Sequence, residues 1–221
     1  MSDTAVTWLP EGGGLRERKK RQLRARLSAT ATHMFLERGF DAVRVAEIAD
    51  ACGVSERTVF NYFPTKESLL LDRFDDTLTA LRTALADPAT APLPAALAVL
   101  DAELDALVSW LSAQPDPAAA SEQVRRFREL STSTPELRAH QHDMSDRLTG
   151  AITELLAASA DGADWSPEAH IAAVALAGLW RVQAASLRRH PHDKPAALRT
   201  AVRGDVDRAA TTLAPMFSRI G

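Results

Sequence analysis

Between residues 15 and 38, Leu23, Leu27, Ala31, Met34 and Phe35 recur at steps of three and four, with basic and polar residues between them. That spacing lines one face of a helix and predicts a helix over Leu15–Arg38. Gly39 stops it, as glycine readily takes a left-handed cap. Val45, Ile48, Ala49 and Cys52 predict a short second helix over 45–51, broken at Gly53. Ser55 is placed to cap a third helix through Tyr62, its hydroxyl accepting from the free N–H groups of the first turn. Pro64 ends that helix at Phe63. Thr65 is placed to cap a fourth helix that opens at Lys66 and carries Leu69, Leu70, Phe74 and Leu78. Three prolines make 87–94 a loop. Beyond it, helices are expected at about 94–113, 121–131, 135–160, 166–189 and 195–217, separated by proline-containing breaks. The fifth shows Leu97, Leu100, Leu104, Leu107, Val108 and Leu111 on one face; the last shows Leu198, Val202, Val206, Ala209, Leu213 and Phe217.

The resulting expectation is an all-α protein of about nine helices. Its 221 residues suffice for one large domain or two modest ones. The division expected is a flexible tail over 1–14, a helix-turn-helix domain over 15–72 and a helical domain over 73–221. The tail ends in Gly12-Gly13-Gly14, which makes a poor phosphate loop because no strand precedes it and no Lys-Ser/Thr follows. No secretory leader is apparent. The most apolar segment, Ile171–Trp180, is about half of what a membrane helix needs. A single cysteine, Cys52, excludes an internal disulfide and fits a reducing, cytoplasmic setting.

The formal charge of −3 argues against a generally basic nucleic-acid coat, but its distribution says more. From Leu15 to Arg26 there are seven Lys or Arg and one Glu, whereas from Arg73 onward fifteen basic residues face nineteen acidic ones. The positive charge is local, directly before the two short helices. Those helices, joined at Gly53, form a helix-turn-helix, whose second helix would lie in the major groove of double-stranded DNA. Arg57 can pair with guanine, Asn61 with adenine, and the Glu56 carboxylate can accept from cytosine. Ser55, Thr58, Tyr62 and Lys66 suit phosphates, which hold register without carrying sequence information. The run Arg16–Arg26 adds salt-dependent attraction.

Gly39-Phe40, Ile48-Ala49, Gly53-Val54-Ser55, Tyr62-Phe63 and Lys66-Glu67-Ser68-Leu69, in that order and spacing, resemble the DNA-binding module of the TetR family of ligand-responsive repressors. The resemblance covers about a quarter of the chain. It implies DNA-contacting positions at Glu56, Arg57, Thr58, Phe60, Asn61, Tyr62 and Lys66, and core positions at Ile48, Ala49, Phe63 and Leu70. It also implies a C-terminal helical domain that binds a small molecule and dimerises through its last two helices. The sequence departs from the family where a Ser or Thr usually opens the second helix; here Arg44 stands there. A hydroxyl cap is worth about 1 kcal/mol. Arg44 could compensate by gripping a phosphate, although a cation at a helix N-terminus opposes the dipole.

Trp110, Phe127, Met144 and Trp180 are candidates for a ligand pocket, although each alone reads equally well as core. Ile171–Trp180 is apolar around most of its circumference and needs cover on more than one side. Leu176, Leu179, Val206 and Leu213 are therefore expected in a homodimer interface, and two half-sites across a two-fold axis would read a palindromic operator. His140 and His142 lie two apart and point opposite ways on a helix, so they do not share a metal; His190 and His192 fall in a Pro-bounded loop, and no metal or cofactor is expected. No nucleophile elbow, phosphate loop, metalloprotease helix or paired catalytic carboxylates stand out, so an enzyme is not expected. A DNA-binding repressor released by a small apolar or amphipathic effector is the leading expectation, and a ligand-independent DNA-binding dimer the alternative.

Overall fold

The computed structural model of the chain describes residues 14–71, 74–87, 89–160, 165–190 and 194–217. The expected tail lies, apart from Gly14, outside them, as does His192. The described residues form nine α-helices and no strand: α1 Leu15–Arg38, α2 Val45–Ala51, α3 Glu56–Tyr62, α4 Phe74–Leu85, α5 Pro92–Ser112, α6 Pro117–Ser133, α7 Pro135–Ala160, α8 Pro167–Arg189 and α9 Pro195–Phe217, with a 3-10 turn at Glu67–Leu69.

Each of the last five helices opens on a proline: Pro92, Pro117, Pro135, Pro167 and Pro195. The first helical residue has no use for its N–H, and the proline ring presets the helical φ. That is why α5 and α6 begin two and four residues before the sequence pattern places them. Asp116 and Ser166 cap α6 and α8: the Asp116 carboxylate accepts from Ala118 and Ala119 N–H at 3.0 Å, and Ser166 Oγ from Ala169 N–H at 3.0 Å.

The helices form two compact units. Among the described residues, the first contains 14–71 together with 126–140. Its core gathers Leu27, Ala31 and Phe35 of α1 with Ile48, Ala49, Val59, Phe63, Leu69 and Leu70. Residues 126–140, expected in the C-terminal domain, belong here instead: Leu137 is buried in this core and Phe127 and Leu130 pack against it. Arg126 Nη2 also donates to the last-turn carbonyl of Leu36 in α1 at 2.9 Å. Hydrophobic periodicity finds these helices but does not say which neighbour they meet.

The second unit contains the described residues from 74 to 125 and from 141 to 217. α8 has the length and hydropathy of a membrane span. Its Ala172, Ala173, Leu176, Ala177 and Leu179 are nevertheless buried in the protein's own core, with α4, α5, α7 and α9 supplying the cover. α9 runs antiparallel to α5, with Arg203 on Asp101 at 2.7 Å and Arg199 on Asp105 at 2.6 Å. It also runs antiparallel to α8, whose buried Ser186 hydroxyl donates to Asp205 at 2.6 Å.

Two consequences are measurable. Gly39 has φ 86° and ψ 155°, and Gly53 has φ 63°. The first conformation is nearly closed to any residue with a Cβ, the second only disfavoured. Gly39→Ala should therefore destabilise by about 1–3 kcal/mol and by more than Gly53→Ala, in urea unfolding. The second concerns Asp205, whose carboxyl is held below its ordinary range first by the Ser186 hydroxyl and also by Arg208. A depressed carboxyl stabilises the fold at neutral pH, and the contribution disappears as pH falls through its folded value. Ser186→Ala should thus lower stability at neutral pH, and the gap from the unmodified protein should close on acidification below the usual carboxylate range.

Candidate nucleic-acid interface

α2 and α3 present two turns of helix each, and a helix that short needs tertiary support. The support comes largely from α1, including two residues of its basic run. Arg26 Nη2 donates to the carbonyl of Cys52, at the C-terminal cap of α2, at 2.7 Å. Arg24 Nη1 donates to the carbonyl of Tyr62, the last residue of α3, at 3.3 Å, and its guanidinium lies 4.9 Å from the centre of the Phe63 ring. Carbonyls at helix C-termini lack intrahelical partners, and a cation there also complements the dipole. Ser28 Oγ meets the carbonyl of Leu69 at 3.0 Å. Arg24 and Arg26, grouped by the sequence with the DNA-attracting run, are thus structural clasps; Arg16, Arg18, Lys19 and Lys20 are exposed.

At the start of α2, the missing hydroxyl cap is replaced from within the helix. Glu47 reaches back, and its Oε1 accepts from Arg44 N–H at 3.1 Å and from Arg44 Nε at 3.3 Å. Arg38 approaches its other oxygen at 2.7 Å. Hydrogen bonding from Arg38, then from the Arg44 N–H, holds the Glu47 carboxyl below its ordinary range. One half of a capping box therefore stands without its Ser or Thr, and the carboxylate offsets the cation that would otherwise oppose the dipole. The Arg44 side chain remains 82% exposed.

α3 starts at the predicted cap: Ser55 Oγ accepts from Thr58 N–H at 3.1 Å and lies 2.8 Å from the Thr58 hydroxyl. Val59 and Phe63 point into the core. The opposite face consists of Glu56, Arg57, Phe60 and Asn61, all exposed, at positions i, i+1, i+4 and i+5. Phe60 is 43% exposed, unusual for a phenyl group unless it has a partner to meet. The arrangement offers one guanidinium fork, one carboxamide, one carboxylate and one apolar ring on a firmly seated helix. These groups match, in turn, guanine, adenine, the cytosine amine and the thymine methyl.

Tyr62 and Lys66 are half-buried. The Lys66 ammonium lies 4.3 Å from the Phe40 ring centre and 5.7 Å from that of Phe35, so it also seals the aromatic pair at the end of α1. Thr65 makes the predicted cap, accepting from Ser68 N–H at 3.2 Å. What it caps, however, is the 3-10 turn rather than one continuous fourth helix, and α4 begins separately at Phe74. The buried Cys52 thiol lies 3.4 Å from the Thr30 hydroxyl, as filler behind the turn.

The four candidate pocket residues fall in three clusters. Phe127 packs in the first unit, Trp110 in a cluster with Leu104, Leu111, Leu198 and Val202, and Met144 and Trp180 against the Leu100–Leu176 cluster. The candidate dimer residues point inward. Leu176, Leu179 and Val206 are buried within the chain and Leu213 is half-buried against the same core. The exposed apolar residues on α8 are instead Ile171 and Val174, 60% and 48% exposed. The apolar circumference of Ile171–Trp180 identifies an apolar helix but not which of its faces the chain covers itself. Among the described residues no group of three or more His, Cys, Asp or Glu is placed to hold a metal.

The sequence signature described as bacterial regulatory proteins, tetR family, matches residues 27–72, the span of the helix-turn-helix and the part of α1 that packs beneath it. The chain is 32% identical over 159 residues to the HTH-type transcriptional regulator TcmR of Streptomyces glaucescens, an overlap of 67% of this chain and 65% of that protein. It is 38% identical over 56 residues to the HTH-type transcriptional regulator YuxN of Bacillus subtilis, covering 24% of this chain and 19% of the other. Among solved structures, a TetR-family regulator from Streptomyces coelicolor A3 overlaps 90% of this chain and 99% of its own, at 22% identity and a TM-score of 0.46. Residues 27–72 are thus the DNA-binding module of the tetR family of bacterial regulatory proteins, carried on a chain whose described residues are helical throughout their regular structure.

Proposed function

We propose that the protein is a sequence-specific transcriptional regulator that binds a palindromic operator as a homodimer and leaves it when a small apolar or amphipathic effector binds its second unit. The observation that carries this reading is the outward face of α3, where Glu56, Arg57, Phe60 and Asn61 stand exposed on a helix clasped at both ends. Arg57 and Asn61 read bases, with Glu56 and Phe60 refining the choice. Arg44, Ser55, Thr58, Tyr62 and Lys66 hold the phosphate backbone, joined by the exposed Arg16–Lys20 stretch, which makes affinity steeply salt-dependent. The relatives' names as transcriptional regulators support this role, and DNA as the partner places it in the cytoplasm.

One such helix reads few base pairs, and a second copy across a two-fold axis doubles the site. Ile171 and Val174 lie one turn apart on α8 and are the apolar surface this reading assigns to the partner copy. The effector's place is the interior of the second unit, whose aromatic residues include Trp110 and Trp180.

The test of the DNA reading is a pair of titrations, on operator and on random duplex. Arg57→Ala and Asn61→Ala should each cost about 1–3 kcal/mol on the operator and little on random DNA. Lys66→Ala should weaken both and also lower thermal stability, because its ammonium covers two aromatic rings. Equal losses on both duplexes for the Arg57 and Asn61 variants would remove them from base reading. The dimer reading is tested by introducing Ile171→Asp and Val174→Asp together. Both sites are open in the single chain, so the variant should stay folded, while charge trapped against a partner should split the dimer. Light scattering should then give a folded monomer where the unmodified chain gives a dimer. A monodisperse monomer before substitution contradicts the assignment.

A further inference from the structure

α3 is tied to its surroundings differently at its two ends. At the N-terminal end the ties are local and several. Gly53 N–H donates to the Asp50 carbonyl and Val54 N–H to the Ala49 carbonyl, each at 3.0 Å, and Ser55 Oγ accepts from Thr58 N–H at 3.1 Å. The turn thus holds the start of α3 to α2 independently of α1. At the other end the chain leaves the helix at once: Phe63 is extended, with φ −135° and ψ 99°, and Pro64 has no N–H. The chain supplies no further helical turn for the Tyr62 carbonyl, and a donor comes from 38 residues away, in Arg24 of α1. The same guanidinium lies 4.9 Å from the centre of the buried Phe63 ring. Arg24 is half-buried and stands one turn before the fully buried Leu27, so its own place is set by the core.

Arg57 and Asn61 lie at different distances from the well-held end. At a rise of 1.5 Å per residue, Arg57 is about 3 Å along the helix from Ser55 and Asn61 about 9 Å. A tilt of about 5° about the Ser55 end moves Asn61 by about 0.8 Å and Arg57 by about 0.3 Å, and a reading group tolerates about 0.5 Å. The long Arg57 side chain has the rotamer freedom to follow such a shift, and the short Asn61 carboxamide does not. Val59 and Phe63 limit the tilt from beneath, but apolar contact is non-directional and does not fix one angle.

We propose that Arg24 is a positioning residue for base reading: by closing the Tyr62 carbonyl it fixes the tilt of α3, and with it the adenine contact of Asn61. By charge it belongs to the basic run, yet it contributes to discrimination rather than to phosphate attraction. The assignment rests on the base reading proposed above and names a residue outside α3 on which one of its contacts depends.

The probe is the duplex that the unmodified full-length protein selects from a pool of random duplexes, together with its single base-pair variants. The base pair at which Asn61→Ala stops discriminating is the Asn61 pair, and Arg57→Ala identifies its own in the same way. A bidentate contact discriminates by about 5- to 150-fold. Arg24→Ala should lower that ratio at the Asn61 pair by about threefold or more, and leave the ratio at the Arg57 pair within about twofold of the unmodified protein. Loss of folded protein scales every titration alike, so a purely structural role moves neither ratio. The salt slope should stay unchanged in Arg24→Ala and fall by about one in Lys19→Ala, where an exposed cation is lost. Where Arg24→Ala melts below the assay temperature, Arg24→Lys is titrated in its place. It keeps the charge but offers a single point donor, and it should lose part of the same ratio. A pool without a preferred duplex, or Asn61→Ala discriminating at every pair, sinks the base reading and the positioning role with it. A preferred duplex on which the Arg24 variant keeps its ratio at the Asn61 pair, loses both ratios alike, or loses a unit of salt slope overturns the positioning role alone.

Discussion

A helix of seven residues cannot hold itself in water, because the cost of its first turn is not recovered over so few hydrogen bonds. α3 must be held from outside, yet the whole of one face has to stay uncovered for it to meet another molecule. The structure resolves this by anchoring the helix through its ends and one narrow inner stripe. Ser55 closes the first turn, Arg24 of α1 takes the carbonyl of Tyr62, and Val59 with Phe63 is buried beneath. Each anchor leaves the outer face untouched. Rigid placement of the reading face is what turns side-chain chemistry into sequence discrimination, since a bidentate contact is lost when its fork is misaligned.

The same constraint explains why α1 is long and basic at once. Its Leu27, Ala31 and Phe35 form the floor of the unit, while Arg24 and Arg26 use their planar, permanently charged heads to satisfy carbonyls at two helix ends. Lysine, a single point donor on a flexible stem, would hold these ends less firmly. Further toward the N-terminus the exposed Arg16, Arg18, Lys19 and Lys20 have no core beneath them. One run of like charge thus divides by position along the helix: the part above the core is structural, and the part beyond it is free to act on a phosphate backbone. Charge counting along a sequence cannot draw that line, because it depends on where the neighbouring helix ends lie.

Much of the fold was nonetheless readable. Ser55, Gly39 and Gly53 mark local backbone events that depend on a few neighbouring atoms, and the helices they bound fall where those residues place them. The five prolines were read correctly as boundaries but on the wrong side of the break in α5 and α6, since a proline both stops one helix and serves as the first residue of the next. The errors concern tertiary partners. Periodicity could not place Phe127 and Leu137 with α1, nor show that Leu176, Leu179 and Val206 face their own chain's interior while Ile171 and Val174 face out. At Arg44 the missing cap was legible as a departure. The remedy lay three residues on, in Glu47, which is a capping-box position whatever precedes it.

The two units place their polar groups by different rules, and the difference bears on what each can do. In the first, the polar side chains of α3 face outward from a core of apolar residues, so function lies on the surface and its stability is insulated from it. In the second, ion pairs run along the outside, between α5 and α9, while Glu103, Trp110 and Gln183 turn inward among leucines. Inward polar groups in an apolar bundle lower its stability unless something pairs with them. Thr77 and Trp180 pair with Glu103 and thereby tie α4 and α8 to α5. A core made of leucine alone would bind α4 through non-directional contacts that tolerate sliding, whereas a hydrogen-bonded carboxylate fixes one position and loses it in an all-or-none way. α4 is the helix that leads directly out of the first unit in the chain. An element held through one hydrogen-bonded carboxylate is fixed at one register of α5 and α8 rather than along a sliding apolar face.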